Sequence, residues 1–507
     1  MRAGLKLLAL TILFFTSSLI LLSLINVELN PLGSTIVRTW CEVRADIGSH
    51  NPTECLTYFN SGRIVLEEAI SLSLFLFVIA GTVLRMEWRV GLAGLSVVLL
   101  VLSNIVPPSE LVGSAVSWDL ILFLVGSMTF AGILRELGVF EYLAIQVLRL
   151  GRSGFSLITL ICLLSFVTAA VLGEVTSILY VMMVVLEAGT ILKTDVVPLI
   201  VLSVLATNTG SAALPIGNPI GVYIFFSAKL DMSSFMRYAL PLAVANLIAL
   251  LATSYLLLRP YIKTLDRLLK TFNSNIEAYL TTYYVSIDYR RKKALSFGLI
   301  TLLTFILSVS LNDYIATSLT HIFGIPVDPH SLLAFIPYIF VTSAFIIIPL
   351  EELSKYLERS VDWPSLLFFI FLFMLAYSLS YTGVMARLAY ILSTIGGTAL
   401  MLLPIVLVTS AALSSVLDNL SLVVAFTPLA MTLYNLGIVS KVVFFALLFG
   451  GVFGGNFTPV GSTANIVAIS IAEKRKVRVA WHTWFRIASI LTGVQLLISL
   501  MWVLFSM

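Results

Sequence analysis

Apolar blocks of about 20 residues, the length one helix needs to cross a bilayer core, recur from Leu7 to Phe505 with short polar breaks between them. On that spacing, crossings fall at roughly 6–26, 66–84, 90–106, 118–134, 197–228, 239–258, 295–311, 331–350, 364–380, 441–471 and 485–506. Two further apolar segments, 154–187 and about 391–432, are interrupted by a polar centre. Composition then closes alternatives. Of 507 residues 59% are hydrophobic and 11% charged, where an average soluble domain carries about 25% charged residues, and the mean hydropathy is +1.05. A soluble fold is excluded, and the lipid bilayer is the solvent of an all-α polytopic protein.

Charge sets the orientation. The segment 259–293 carries Arg259, Lys263, Arg267, Lys270, Arg290, Arg291, Lys292 and Lys293 against Asp266, Glu277 and Asp288, so the positive-inside rule puts it in the cytoplasm. Counting crossings outward from it places inside the basic turns Arg85/Arg89, Arg149/Arg152/Lys193 and Lys474/Arg475/Lys476/Arg478. The turns 27–63, 107–116 and 312–330, none with a basic excess, fall outside. The reading is a cell-membrane protein of eleven crossings with a cytoplasmic N-terminus and an outside C-terminus. The net charge of +4 lies in these turns and no basic patch with interleaved aromatics appears, so no nucleic-acid partner is implied. The first apolar block lacks an A-x-A cleavage pattern and reads as a retained helix. Cys162 reads as a small core residue. Cys41 and Cys55 share one outside loop, where a disulfide is open to them.

The chain also repeats itself. Val116-Ser-Trp-Asp-Leu lies over Val361-Asp-Trp-Pro-Ser, with Trp118 over Trp363, an offset of 245 residues (363 − 118). At that offset Phe123 pairs with Phe368, Ala131 with Ala376, Gly138 with Gly383 and Val139 with Val384. Further on, 169–177 lies over 414–422, and Gly217 over Gly461 at 244. Trp118 falls at the outer interface and Trp363 at the inner one, so the copies run in opposite directions. An inverted-topology repeat has two mirrored arrangements of similar energy, which alternating access requires. The chain divides into an N-terminal helix and outside loop (1–62), repeat 1 (63–258), the basic linker (259–293) and inverted repeat 2 (294–507).

Within each repeat two segments do not suit a lipid-facing helix. The centre of 154–187 is Gly173-Glu174-Val175-Thr176-Ser177, and that of 391–432 is Asp418-Asn419-Leu420-Ser421. An ionised acid deep in the bilayer costs at least about 2.5 kcal/mol, and a chain reversal there leaves helix-end groups needing partners. Re-entrant hairpins with tips facing a watery site meet both demands. The other pair are broken helices: Gly210, Pro215, Gly217, Pro219 and Gly221 crowd one crossing, and Gly450, Gly451, Gly454, Gly455, Pro459 and Gly461 its counterpart. Proline removes an amide donor and glycine weakens a helix, and unwound backbone at this depth must line a cavity or be buried.

These residues resemble the ion transporter superfamily that holds arsenite permeases, citrate-transporter-like proteins, a class of sodium/proton antiporters, the melanosomal P protein and divalent-anion/sodium symporters. The segment 208–219 is similar to the family's N-x-G-G-x-x-x-x-I-G-[DS]-P element, and 454–465 to its G-G-N-x-T-x-I-G-x-x-x-N partner. Val416-Leu-Asp-Asn-Leu-Ser421 resembles the D-N hairpin tip of the arsenite, antiporter and P-protein branch. With the eleven crossings counted above, the resemblance implies two re-entrant hairpins at about 154–187 and 391–432, broken helices at about 197–228 and 441–471, a scaffold domain and a mobile transport domain, and often a homodimer. It implies a site lined by Asn208, Gly217, Asn218, Asn419, Asn456, Thr458, Gly461 and Asn465. Glu174, Thr176, Asp418 and Ser421 join them from the residues' own placement at the hairpin tips. The sequence departs from the family at Gly173-Glu174, Asn218 and Gly221.

The function read from this is secondary active transport of a small inorganic ion or oxyanion, with no cofactor and with a proton or sodium gradient as the driving force. A sodium site would lie near Asn208, Asp418, Asn419 and Asn456. Sodium/proton antiport, di- or tricarboxylate symport and a passive channel subunit are the alternatives. An ATP-driven version would need a soluble ATPase partner, because no G-x-x-x-x-G-K-[ST] loop occurs. An enzyme is not expected: there is no H-E-x-x-H, and His50, His321, His330 and His482 have no metal-ligand spacing.

Overall fold

The structure, a computed structural model, describes residues 2–28, 31–44, 52–84, 88–139, 142, 150–272, 289–396, 398–415 and 419–506. Asp418 and residues 273–288 of the linker lie outside the described residues. The chain begins with α1 (Arg2–Ser23), α2 (Pro31–Val43) and α3 (Pro52–Phe59). Repeat 1 follows as α4 (Gly62–Leu84), α5 (Arg89–Leu102), α6 (Pro108–Gly113), α7 (Trp118–Glu136), α8 (Gly154–Leu172), α9 (Glu174–Leu192), α10 (Val197–Ser211), α11 (Pro219–Ser227) and α12 (Met232–Leu257). After α13 (Arg259–Phe272), repeat 2 runs α14 (Tyr289–Ser310), α15 (Asn312–Phe323), α16 (Pro329–Ser343), α17 (Leu350–Ser360) and α18 (Trp363–Thr382). It continues as α19 (Val384–Gly396), α20 (Ala399–Ser414), α21 (Asn419–Asn435), α22 (Val442–Gly454), α23 (Thr463–Lys474) and α24 (Trp481–Phe505).

Among the described residues 7 helices are long and apolar enough to cross a membrane. Six are crossings and the seventh, α8, is a hairpin arm. α1, the shorter α5 and α16, and the two-piece crossings α10/α11 and α22/α23 complete the eleven. Contacts pair residues that the alternation of crossings puts on one side. On one face Tyr377 Oη donates to Glu110 Oε2 (3.0 Å), Lys441 Nζ to Ser234 Oγ (2.9 Å) and the Met232 amide to Asp313 Oδ2 (3.0 Å). On the other the Gly154 amide donates to Asp266 Oδ1 (2.7 Å), Tyr261 Oη to the Asp195 carbonyl (2.6 Å) and Arg89 Nη2 to Ser365 Oγ (2.7 Å).

Two packed groups result. The scaffold joins α1, α4, α5 and α7 to α14–α18, with α16 along α7 and α18 along α5. The transport group joins α8–α12 to α20–α24. Lipid offers no hydrophobic drive between helices, so close packing at small residues must hold such groups together. Both repeats do this alike. A Cβ on Gly210 would lie 2.1 Å from the Phe166 carbonyl oxygen, and one on Gly454 would lie 2.4 Å from the Ala411 carbonyl oxygen. These contacts seat α8 on α10 and α20 on α22, at the repeat offsets of 244 (454 − 210) and 245 (411 − 166). The groups meet across apolar side chains, with Tyr223 stacked on Phe373 at 5.0 Å.

Two segment boundaries differ from the sequence reading. Hairpin 1 continues to Leu192, and hairpin 2 begins at Ala399, because α19 is a separate arm helix. The apolar run through Ile391 hides that break. Ala386 and Tyr390 of α19 pack instead with Trp40 and Phe59 of a cap formed by α2 and α3, where Cys41 and Cys55 are joined in a disulfide. Arg387, fully buried, is the bolt of this cap. Its Nε donates to both Glu68 carboxylate oxygens (3.1 and 2.9 Å), its Nη2 to the Phe59 carbonyl (3.1 Å) and its Nη1 to the Ile25 carbonyl.

Candidate ion-binding site

Each broken crossing is interrupted where proline and glycine remove helix support. α10 stops at Ser211, a 3-10 turn covers Pro215–Gly217, and Asn218 starts α11 as its cap. α22 stops at Gly454, a 3-10 turn covers Gly455–Phe457, and Ser462 caps α23. The folded-back loops leave no room beyond hydrogen at matched positions. A Cβ on Gly217 would meet the Ser211 carbonyl oxygen at 2.3 Å, and one on Gly461 the Gly455 carbonyl oxygen at 2.5 Å. The half-helix amino ends are already engaged: Asn218 Oδ1 accepts from the Gly221 amide (2.5 Å) and Ser462 Oγ from the Ala464 amide (3.2 Å). These caps reduce what the amino ends can offer an anion.

The hairpin tips sit against these loops. Gly173, at φ +86°, turns hairpin 1 and lies next to Gly217, a Cβ there being 3.9 Å from the Gly217 carbonyl oxygen. Glu174, first residue of α9, is 5% exposed, and Thr176 is half-buried. Below the tip the hydroxyls of Ser177 and Thr168 bond each other at 2.6 Å, tying the two arms. In hairpin 2, Asn419 opens α21. With its amide nitrogen assigned toward carbonyls that can only accept, it donates to Gly461 (2.5 Å) and Gly451 (3.2 Å) and bonds the Ser414 hydroxyl. Thr458 Oγ1 donates to the Ser415 carbonyl (2.6 Å), a second tie between tip and loop. Asp418 and the side chain of Ser421 lie outside the described residues.

Between the two loops the repeats meet in a fully buried chain of neutral polar groups. Asn208 Nδ2 donates to Asn456 Oδ1 (2.6 Å) and Asn465 Oδ1 (3.1 Å), and Ser462 Oγ donates to Asn208 Oδ1 (3.3 Å). Asn465 Nδ2 donates to the carbonyls of Gly455 (2.9 Å) and Thr458 (2.8 Å). Asn456 Nδ2 donates to Gln495 Oε1 (3.3 Å), and Gln495 Nε2 to Thr209 Oγ1 (2.7 Å). Trp484 Nε1 holds the Asn456 carbonyl (3.1 Å). Of the residues predicted from sequence, Asn208, Asn456 and Asn465 form this centre, and Asn419, Thr458 and Gly461 form a second group beside hairpin 2. Glu174, Gly217 and Asn218 form a third beside hairpin 1. Sequence reasoning missed Thr209, Ser211, Ser414, Ser462, Trp484 and Gln495. Gln495 had one available signal, being the sole carboxamide in the last crossing. No Arg or Lys stands in 154–192, 197–227, 399–435 or 442–472, and among the described residues no cluster of His, Cys, Asp and Glu is suited to a metal ion.

Inverted repeats, paired hairpins and two unwound crossings around buried amides define a membrane transporter. Within that class the chain belongs to the citrate transporter family (CitMHS), whose model matches residues 74–399 and 329–507. An uncharacterised transporter of Mycobacterium tuberculosis is 30% identical over 391 residues, covering 76% of this chain and 85% of that one. The human P protein is 25% identical over 431 residues, covering 73% of this chain and 51% of that protein. The crystal structure of the Alcanivorax borkumensis YdaH transporter, described as having an unusual topology, has the same fold at a TM-score of 0.51 and 15% identity, covering 78% of this chain and 86% of that one.

Proposed function

We propose that this membrane transporter is a secondary active carrier of a small inorganic ion or oxyanion, driven by a proton or sodium gradient. One observation carries the reading: both unwound crossings deliver neutral amides into one buried network, Asn208 with Asn456 and Asn465, and neither the crossings nor the hairpins contain an Arg or Lys over 154–192, 197–227, 399–435 or 442–472. A multiply charged carboxylate taken into low dielectric needs paired cations to offset its desolvation. A small ion or weakly charged oxyanion can instead be solvated by amides and hydroxyls, which both donate and accept. Glu174 and Asp418, at matched hairpin tips, supply the groups that take up the coupling proton or contact sodium. The scaffold holds the membrane while the transport group moves, and two copies associate through the scaffold.

Citrate is the second reading, favoured by the description of the family model. Both are tested with the purified protein as sole carrier in vesicles, screening arsenite, phosphate, sulfate, citrate and sodium against imposed proton and sodium gradients. Uphill accumulation of an inorganic species supports the first reading. Citrate uptake selects the second, sodium-driven proton movement without anion flux makes the protein an antiporter, and dissipation without accumulation makes it a channel.

A further inference from the structure

The polarity of the central amide chain is dictated from its two ends. At one end Thr209 Oγ1 donates to the Leu205 carbonyl (2.6 Å), so it must accept from Gln495 Nε2 (2.7 Å). That turns Gln495 Oε1 toward Asn456, which answers with Nδ2 (3.3 Å) and is left with Oδ1 facing Asn208. At the other end Asn465 Nδ2 is held by two carbonyls, Gly455 and Thr458, so its Oδ1 also faces Asn208. Two oxygens of fixed orientation thus converge on one point, and the two hydrogens of the Asn208 amide fill it. The remaining contact of Asn208 is with Ser462 Oγ (3.3 Å), a hydroxyl that can accept as readily as donate. Asn208 is therefore the one member of the centre whose amide can reverse without stranding its partner.

We propose that Asn208 is a swivelling amide at a monovalent-cation site. With no cation its NH₂ bridges Asn456 Oδ1 and Asn465 Oδ1. With a cation it rotates by half a turn, gives its NH₂ to Ser462 Oγ, and adds its own oxygen to theirs. Three neutral amide oxygens suit an alkali ion, whereas calcium sites recruit carboxylates. Gln495 is the positioning residue: it touches no ion, but its oxygen keeps that of Asn456 aimed at the centre. The proposal rests on the carrier reading and names the chemistry of the ion held at the amide centre, an alkali cation bound by groups from both repeats; Glu174 and Asp418 at the hairpin tips then serve the coupling proton.

Trp484, bonded to the Asn456 carbonyl (3.1 Å), supplies a readout other than transport. Purified protein is titrated with sodium chloride against choline chloride at constant ionic strength, following tryptophan fluorescence and unfolding temperature. The wild type gives a saturable sodium response, and Trp484→Phe removes the fluorescence part while keeping the thermal part. Gln495→Met, which lets the Asn456 amide reverse, raises the sodium midpoint about tenfold, the equivalent of one lost oriented ligand. Gln495→Glu restores an oxygen toward Asn456 and keeps the midpoint near wild type, a split that mere packing would not produce. Asn465→Ala loses the response, and Asn246→Ala, whose amide bonds the Ser499 hydroxyl and none of the carboxamides of the centre, keeps it. Should Asn465→Ala not fold, the Gln495 pair decides alone. A wild type without a saturable sodium response, or a Gln495→Met midpoint equal to wild type, overturns the proposal. Gradient-driven flux alongside unaltered midpoints would reject the swivel and keep the carrier; a sodium response without any flux would do the reverse.

Discussion

At Gly138 in repeat 1 and Gly383 in repeat 2 the chain makes the same left-handed turn, at φ +75° and +107°. Four residues on, the amides of Tyr142 and Arg387 close on the Gly138 and Gly383 carbonyls at 3.1 and 3.0 Å. The backbone is repeated and the side chain is not. Arg387 is bolted to Glu68, to the carbonyls of Phe59 and Ile25, and over the Phe59 ring at 4.5 Å, while Tyr142 carries no charge. The hairpin tips differ in the same way: Glu174 stands over Asn419 at the 245 offset, one an acid and the other an amide. Symmetry therefore sets where the chain turns, breaks and packs. Among the described residues the side-chain ties are distributed unequally over it, with the Arg387 bolt and most of the hydrogen-bonded loop contacts in repeat 2.

The largest expected effect tests whether the two tips do equal work. Glu174→Gln and Asp418→Asn should each abolish gradient-driven uptake in vesicles while the protein remains folded by thermal unfolding. If one variant keeps coupled transport, that tip drops out of the mechanism and the inequality is sharper than drawn here. Next comes the bolt. Arg387→Met should lower stability by about 3–5 kcal/mol, since Glu68 would be left buried without its partner. Tyr142→Phe should change stability little. The double variant Glu68→Gln with Arg387→Met should cost less than the sum of the singles, and strict additivity would show that the pair is not coupled.

What the sequence disclosed is whatever has a local signature. Blocks of 20 residues, proline and glycine crowding at 208–221 and 450–461, and the repeated Trp118 and Trp363 are visible without coordinates because each reflects a backbone demand. The Arg387 and Glu68 bond joins residues 319 apart in sequence, and no periodicity announces such a partner. The start of hairpin 2 was obscured for a related reason: α19 is apolar where it packs under the α2–α3 cap, so hydropathy runs through its end. Gln495 was overlooked because its importance depends on Thr209 and Asn456, which only the packing of α24 against both repeats brings to it.

A smaller effect separates the centre from its surroundings. Asn456→Ala should weaken apparent substrate or coupling-ion affinity about tenfold, near 1.4 kcal/mol for one lost buried interaction. Asn246→Ala should leave affinity unaltered, although that residue is equally buried. Vesicle uptake as a function of ion concentration measures both, and equal effects would mean that the amide centre is no more than buried polar packing.

The smallest effect lies at the two faces of the molecule, which use different chemistry. On one face Asp266 accepts the first amide of hairpin 1; on the other, Asp231 lies beside Lys441 at 3.9 Å and bonds the hydroxyls of Ser233 and Ser234. Partial burial of Asp231 opposes its charge, but the two serine hydroxyls, its own backbone amide and Lys441 outweigh that and hold its carboxyl below the ordinary 3.8. A depressed carboxylate releases its proton more readily in the folded state than in the unfolded one. Its stabilising contribution is therefore complete above the unfolded value and lost as pH falls from about 3.8 through the folded value. Asp231 is half exposed, so solvent screening keeps the contribution small. Unfolding temperatures recorded from pH 5 downward should fall slightly less steeply in Asp231→Asn than in wild type, the curves running parallel above pH 5. A steeper fall in the variant would mean that burial, not the serine hydroxyls, governs this carboxylate, and that the Lys441 and Ser234 bond holds this face without it.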